Sequence, residues 1–435
     1  MTASVAVSAP GKVLLAGGYL VLDRQYSGLV FGLSARINVI VEPIETMQGV
    51  QIREIVVESP QFVDAVWHFG WHLAGEDGGI VVTQLQTDGK MSRNPFVETA
   101  LTYALTFINA VSPDAALHGL KPAKLKILAD NDYYSTQSLS AEEASRRFSH
   151  FGTPISGANK TGLGSSAALV TSLTAALLVH YLGYTLQSHE EKLVLHNLAQ
   201  ASHCAAQGKI GSGFDVAAAV FGSCKYRRFS PATLDASAVP EPGTAGFAGK
   251  LKSLVLGQWD VQIDKNVALP PGIALRMFDV ACGTQTVSMV KGVLKWRAGD
   301  AAGSKKLWDE LHAQNEALAD VLSSGDKTGI PTAVAAIRAS IRDMTQRTGM
   351  PIEPDTQTKL LDAISQVDGV YGGVVPGAGG YDAISVLAEE SAVQRLEEFE
   401  EQWNKTEAEK TRLLRVKGEM EGVKVEELSK FEGWI

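Results

Sequence analysis

The chain has 435 residues, 45% hydrophobic and 20% charged, and its 39 Lys and Arg against 48 Asp and Glu leave a net charge of −9. That length predicts two lobes, and the composition is that of a globular protein. An acidic chain lacks the basic footprint that nucleic acid or an anionic membrane requires, so a polyanionic small ligand must find its positive charge concentrated at one site. No apolar run reads as a membrane span. Residues 1–7 lack the basic n-region and long apolar stretch of a signal peptide. Three cysteines, Cys204, Cys224 and Cys282, fit no zinc spacing and predict a reducing compartment, most simply the cytoplasm.

In chain order, Val5 to Val7, Val13 to Ala16 and Ile37 to Val41 read as strands, with Pro10-Gly11 and Gly17-Gly18 as turns between them. Residues 96–110 read as a helix with Pro95 in its first turn, and 141–149 as a short polar helix. The helix over 165–182 is small and apolar all round, which predicts burial. Another runs from Glu190 to Gln207, where Gly208 stops it. Residues 230–250, rich in Ser, Pro, Ala and Gly, read as a linker or long surface loop between a first lobe, 1–229, and a second, 251–435. Beyond it come a strand over Ile273 to Val280 and helices near 286–297, 303–323, 331–347 and 355–367. A strand over Ala383 to Leu387 and a helix over 391–404 follow. In the charged tail, Arg412 to Val416 and Val423 to Glu427 read as an edge hairpin. Strands cluster early and helices come in runs, which predicts an α+β fold with two lobes.

Four segments carry chemistry. The run Lys160-Thr161-Gly162-Leu163-Gly164-Ser165-Ser166-Ala167-Ala168 is a glycine loop feeding a helix N-terminus. Its first-turn N–H groups and the helix dipole make a phosphate cradle; a tight loop before a buried helix is the plain alternative. It is not a Walker loop, because no Gly-Lys pair is followed by Ser or Thr. Nor is it a convincing dinucleotide fingerprint: no apolar strand precedes it, and position 184 is Tyr rather than an acid. In Ser8-Ala9-Pro10-Gly11-Lys12-Val13, a rigid turn aims Lys12 at an anion, or leaves it solvated at a strand start. In Gly208-Lys209-Ile210-Gly211-Ser212-Gly213-Phe214-Asp215, one carboxylate sits at a loop–helix junction. There it either caps the helix or orients an attacking hydroxyl. Val375-Pro376-Gly377-Ala378-Gly379-Gly380-Tyr381-Asp382 lets backbone approach backbone or ligand, unless it is a simple hairpin.

Taken together and in this order, these segments resemble the galactokinase–homoserine kinase–mevalonate kinase–phosphomevalonate kinase (GHMP) superfamily, over nearly the whole chain. The first motif resembles Pro10-Gly11-Lys12-Val13-x-Leu15-x-Gly17, the second Gly162 to Ala168, the third Gly377 to Gly380. Gly18-Tyr19-Leu20, without the Glu-His usual in mevalonate kinases, is similar to the fungal-type phosphomevalonate kinases. The resemblance implies a two-lobed kinase with its site in the interlobe cleft, using ATP and Mg²⁺ to convert 5-phosphomevalonate to 5-diphosphomevalonate on the route to isoprenoids and sterols.

It further implies roles. Lys160, Thr161 and Gly162 to Ala168 would hold the nucleotide phosphates, with the Ser166 hydroxyl near Mg²⁺. Lys12 and Asp215 would be catalytic. Lys12, Lys160, Tyr19, Ser288 and Gly377, Ala378, Gly379 and Gly380 would meet the substrate. Where relatives carry a metal-binding Glu, this chain has His203 or Cys204, so the second metal ligand is left open. The helix start Arg93-Asn94-Pro95-Phe96 is placed beside the adenine pocket. The acceptor is a phosphate monoester with a second pKa of about 6, so it needs little deprotonation. Bringing two anions together is then the main barrier, and cations rank at least equal to a base. The alternatives are mevalonate kinase or another member of the superfamily, diphosphomevalonate decarboxylase, and a catalytically inactive sensor of nucleotide and metabolite.

Overall fold

A computed structural model describes residues 3–47, 52–85, 93–112, 120–135, 139–235, 239–280 and 286–435. Cys282 lies outside them, as do residues 283–285 of the Gly283-Thr284-Gln285-Thr286 stretch that the sequence reads as a turn before Ser288. The first half contains β1 (Val5–Ala16), β2 (Gly28–Pro43), β3 (Glu54–Glu58), β4 (Val66–Leu73), β5 (Ile80–Leu85), α1 (Pro95–Val111), β6 (Ala123–Ala129) and α2 (Ala141–Ser145). Then come α3 (Ser165–Leu182), α4 (His189–Gln207), α5 (Phe214–Phe221), β7 (Cys224–Arg227), α6 (Phe247–Leu256) and β8 (Gln262–Asp264). The second half contains β9 (Ile273–Val280), α7 (Thr286–Gly299), α8 (Ala301–Ser324), α9 (Ile330–Thr348), α10 (Asp355–Ile364), β10 (Val370–Val374), β11 (Ala383–Glu389), α11 (Val393–Thr406), β12 (Thr411–Glu419) and β13 (Lys424–Glu426).

The fold is α+β, with one continuous path of strands ordered β10-β11-β9-β12-β2-β6-β3-β4-β5. Apart from β3 beside β6, these neighbours pair antiparallel, as do β1 and β2. β1 does not break at Pro10-Gly11 as the sequence suggests. It runs through as one strand against β2, with a register slip between Pro10 and Gly11. Proline has no N–H for a ladder, and a bulge accommodates that loss without ending the strand. The expected edge hairpin in the tail is also corrected. β12 lies between β9 and β2, while β13 pairs with β1, so the two strands do not pair with each other. Their charges suggested an edge, yet Leu414 and Val416 are buried and make β12 the seam between the lobes.

Elements on both sides of the 230–250 stretch pack on first-lobe structure. Helix α6 lies against α1 and α4, and β8 pairs with β7. Helix α3 rests on β1 and β2, surrounded by α1, α4 and α5. Among the described residues it is the one helix long and apolar enough to cross a bilayer, and 72% of it is buried inside the protein. Leu173, Leu177 and Leu178 are fully buried, each contributing ~1.5–3 kcal/mol of apolar burial. That burial fixes the helix whose N-terminus opens into the site.

Candidate active site

Three long helices begin with a side chain that accepts one first-turn N–H: Asn94 for α1, Ser188 for α4 and Asp300 for α8. Helix α3 begins with Gly164 in the left-handed region (φ 79°) and has no side-chain cap. Ala168 N–H already bonds to Gly164 O at 3.4 Å. The donors left for an anion are therefore those of Ser165, Ser166 and Ala167. Leu163, Ala167 and Ala168 are buried, so only their backbones face the loop. Leu163 O accepts the Lys12 N–H at 2.9 Å, which ties the loop to β1. Thr161 is anchored too, its hydroxyl donating to Asp132 O at 2.5 Å.

This tie brings Lys12 under the loop. A Cβ on Gly164 would lie 2.8 Å from Lys12 Cε and 2.9 Å from Cγ, so only glycine lets the lysine stem pass. Lys12 Nζ sits 5.5 Å from the centroid of the Phe214 ring. Burial pulls its pKa down, and the nearby Asp215 carboxylate partly restores it. A buried cation with one partial partner gains from an arriving anion. Asp215 is in the first turn of α5, behind uncapped Gly213 (φ 85°). Its Oδ1 accepts the Val216 N–H at 3.0 Å, and its Oδ2 lies 3.9 Å from His203 Nδ1.

His203 is buried on α4 and reaches both key groups. Its Nε2 is 3.2 Å from Ser166 Oγ and accepts from Gln207 Nε2 at 3.0 Å. With Nε2 accepting, the ring proton belongs on Nδ1, toward Asp215. The adjacent Cys204 is buried and faces Gln200, its Sγ 3.2 Å from Gln200 Nε2. Of the two residues at the family's Glu position, His203 therefore faces the site. The loop bearing Asp215 is held from behind: Arg228 donates to Gly211 O at 2.9 Å and Tyr226 OH to Ser212 O at 2.8 Å.

From the second lobe, Gly377 and Ala378 dock on the first motif, while Gly379 and Gly380 pack against Ile352. Gly377 N–H donates to Leu14 O at 2.9 Å, and Tyr19 OH donates to Ala378 O at 2.6 Å. A Cβ on Gly18 would stand 2.0 Å from Gly377 O. A cleft of about 890 Å³ separates the lobes, lined by Lys12, Tyr19, Lys160, Thr161, Gly162, Phe214 and Gly377 to Gly379, with Asp279 and Asp382 across it. Burial, with Asp382 adding, pushes the Asp279 carboxyl up, while Arg412 opposes the shift. Ser288 is exposed in the first turn of α7 and is not among the residues lining this cleft, although Val290 is.

On the other side of the loop lies a slot of about 230 Å³ between Trp67, Phe96 and Tyr134, bordered by Arg93 and Asn94. Lys160, Ser165 and Ser166 form its inner end. Slot and cleft share Lys160, the slot reaching Ser165 and Ser166 and the cleft Thr161 and Gly162.

Comparison with known proteins agrees with this geometry. The family model for the GHMP kinases N terminal domain matches residues 152–223, which include the glycine loop and Asp215. The chain is 58% identical over 440 residues to phosphomevalonate kinase of Gibberella zeae, covering 99% of both chains. The chain belongs to the phosphomevalonate kinase family. An Aspergillus fumigatus phosphomevalonate kinase is 44% identical, covering 100% of this chain and 99% of its own. Among solved structures, Streptococcus pneumoniae phosphomevalonate kinase in complex with phosphomevalonate and AMPPNP shares the fold. Its TM-score is 0.63 at 16% identity, over 95% of this chain and 99% of that one.

For this family member, sequence reasoning found the glycine segments but missed what packs against them. Trp67 sits in a strand with no motif around it, and Tyr134 follows an unremarked turn. Arg228 is separated from Gly211 by a helix and a strand. His203 was visible only as a missing carboxylate. The facing of α4 toward Ser166, which gives the residue its contacts, is a tertiary fact.

Proposed function

We propose that this kinase transfers the γ-phosphoryl group of ATP to the phosphate of 5-phosphomevalonate, giving ADP and 5-diphosphomevalonate. The observation that carries the reading is the placing of buried Lys12 against Gly164 at the uncapped start of α3 and beside Asp215, with Lys12 and Phe214 lining the interlobe cleft. Whole-length similarity to phosphomevalonate kinases supports it.

The nucleotide base lies in the aromatic slot, and its phosphates meet the N–H groups of Ser165 to Ala167. Lys12, under the loop, stands between donor and acceptor anions and offsets their repulsion in surroundings of reduced dielectric. Asp215 orients the attacking phosphate oxygen. Lys160, exposed at the loop's lead-in, adds charge for the substrate phosphate. Tyr19 and Gly377 to Gly380 close the acceptor side, and Ser288, outside the cleft lining, takes no part in it. Mg²⁺ fits the donors present. Ser166 offers a hydroxyl, and no group of three or more His, Cys, Asp or Glu among the described residues forms a protein cage. That suits an ion that keeps waters and substrate phosphates as ligands. When bound it neutralises charge on the nucleotide phosphates, with Ser166 as its protein ligand and His203 positioning that serine.

A cytoplasmic location and a part in sterol synthesis belong to the same proposal. Buried, unbridged Cys204 and Cys224 are consistent with a reducing compartment. An ADP-release assay offering mevalonate and 5-phosphomevalonate side by side tests the substrate. Turnover of 5-phosphomevalonate alone is expected. Turnover of mevalonate, release of carbon dioxide, or nucleotide binding without transfer overturns the reading.

A further inference from the structure

Away from the catalytic cleft, a second cavity of about 730 Å³ opens at the lobe junction, between α2, α11, β9 and β12. Five arginines line it: Arg146, Arg147, Arg276, Arg412 and Arg415. Three carboxylates, Asp132, Glu397 and Glu400, face them, so the lining is positive in a chain that is acidic overall. Four of the arginines have local partners. Arg146 bonds Glu142, and Arg147 bonds Asp130 and Asn38. Arg415 donates to Ala144 O at 3.0 Å, and Arg412 lies 3.8 Å from Asp279. The fifth differs. Arg276 projects from the middle of β9, and its buried Nε has no hydrogen-bond partner among the described residues. That Nε is closed off from solvent, so what Arg276 offers an occupant of the cavity is the terminal N–H groups of its guanidinium. Burial pushes the carboxyls of Asp132 and Glu400 up, and Arg412 opposes both shifts.

We propose that this cavity is a second anion site that takes a compact, multiply charged phosphate compound of the diphosphate class, with Arg276 as its central donor. Guanidinium pairs in fixed planes suit phosphate oxygens, and several arginines around one volume favour two phosphoryl groups over one. The cavity wall also carries the catalytic loop. Asp132 O receives the Thr161 hydroxyl, Tyr133 O receives the Thr161 N–H at 3.1 Å, and Tyr134 bridges to Lys160. Arg412 reaches through to Asp279 on the cleft. An occupant of the cavity would therefore act on the stretch that positions the nucleotide phosphates.

Calorimetric titration of the full chain with pyrophosphate tests the site, with the catalytic cleft saturated by AMPPNP. One pyrophosphate per chain is expected, bound more tightly than inorganic phosphate and at least tenfold more weakly in Arg276→Met, with no change in Lys160→Met. Arg415→Met, on the neighbouring strand β12, gives an independent loss should Arg276→Met fold poorly. Disappearance of the signal when AMPPNP is added, sensitivity to Lys160→Met in place of the arginine variants, or equal heat from sulfate at matched ionic strength overturns the proposal.

Discussion

Replacing Lys12 with Met keeps the apolar stem and removes the charge, and the structure sets how much that should cost. Lys12 is enclosed by the loop at Gly164, by Phe214 and by Asp215. At an effective dielectric of about 20, a unit charge about 4 Å from another interacts by ~4 kcal/mol, whereas in water the figure is ~1 kcal/mol. At about 1.4 kcal/mol per tenfold, the first bounds the loss near 10³ in rate; removing a preorganised donor elsewhere costs about 10²–10³. Lys160, exposed on the lead-in, belongs to the watery limit, where about fivefold is expected. The assay is steady-state ADP release with 5-phosphomevalonate, measured for both variants alongside thermal unfolding to confirm that each is folded. Lys12→Met should lower kcat by about 10²–10³ with its Tm unchanged or raised, because a buried charge has been removed. Lys160→Met should lose less than about tenfold. A Lys12→Met enzyme within threefold of wild type, or a Lys160→Met enzyme as impaired as Lys12→Met, refutes the account of charge neutralisation.

Asp215→Asn should lower kcat by about 10–10²-fold, less than Lys12→Met, while nucleotide affinity measured by calorimetry stays within twofold. Because Asp215 supports the charged form of Lys12, rising pH should reduce activity below the ordinary lysine range, and Asp215→Asn should move that decline to lower pH; a pH–kcat profile checks the order. Gly164→Ala places a methyl against Lys12 at a positive φ. It should cost ~1–2 kcal/mol of stability, read as a Tm lowered by about 1–3 °C, with kcat down at least tenfold as the lysine is displaced. Tyr19→Phe removes the hydroxyl that joins the first motif to Ala378. A loss of ~0.5–1.5 kcal/mol should appear as a KM for 5-phosphomevalonate raised about 2–10-fold, with little change for ATP.

The sequence by itself determined the features whose physics is local. The loop at 160–168 and its helix depend on glycine torsions, an absent cap and an apolar run, and the structure places α3 at Ser165–Leu182 as the pattern implies. The helices near 303–323 and 331–347 were legible from their patterns, and the structure places them at Ala301–Ser324 and Ile330–Thr348. Tertiary structure decided everything that depends on which distant surfaces meet. Pro10 became a bulge because β2 was there to hold the strand. The charged tail became the lobe seam because Leu414 and Val416 found a core. His203 acquired its contacts with Ser166 and Asp215 only when α4 turned it toward them. The five-arginine cavity draws on positions from 146 to 415. No window of sequence contains such a cluster, because its members share neither a period nor a turn, only the space that packing leaves between them.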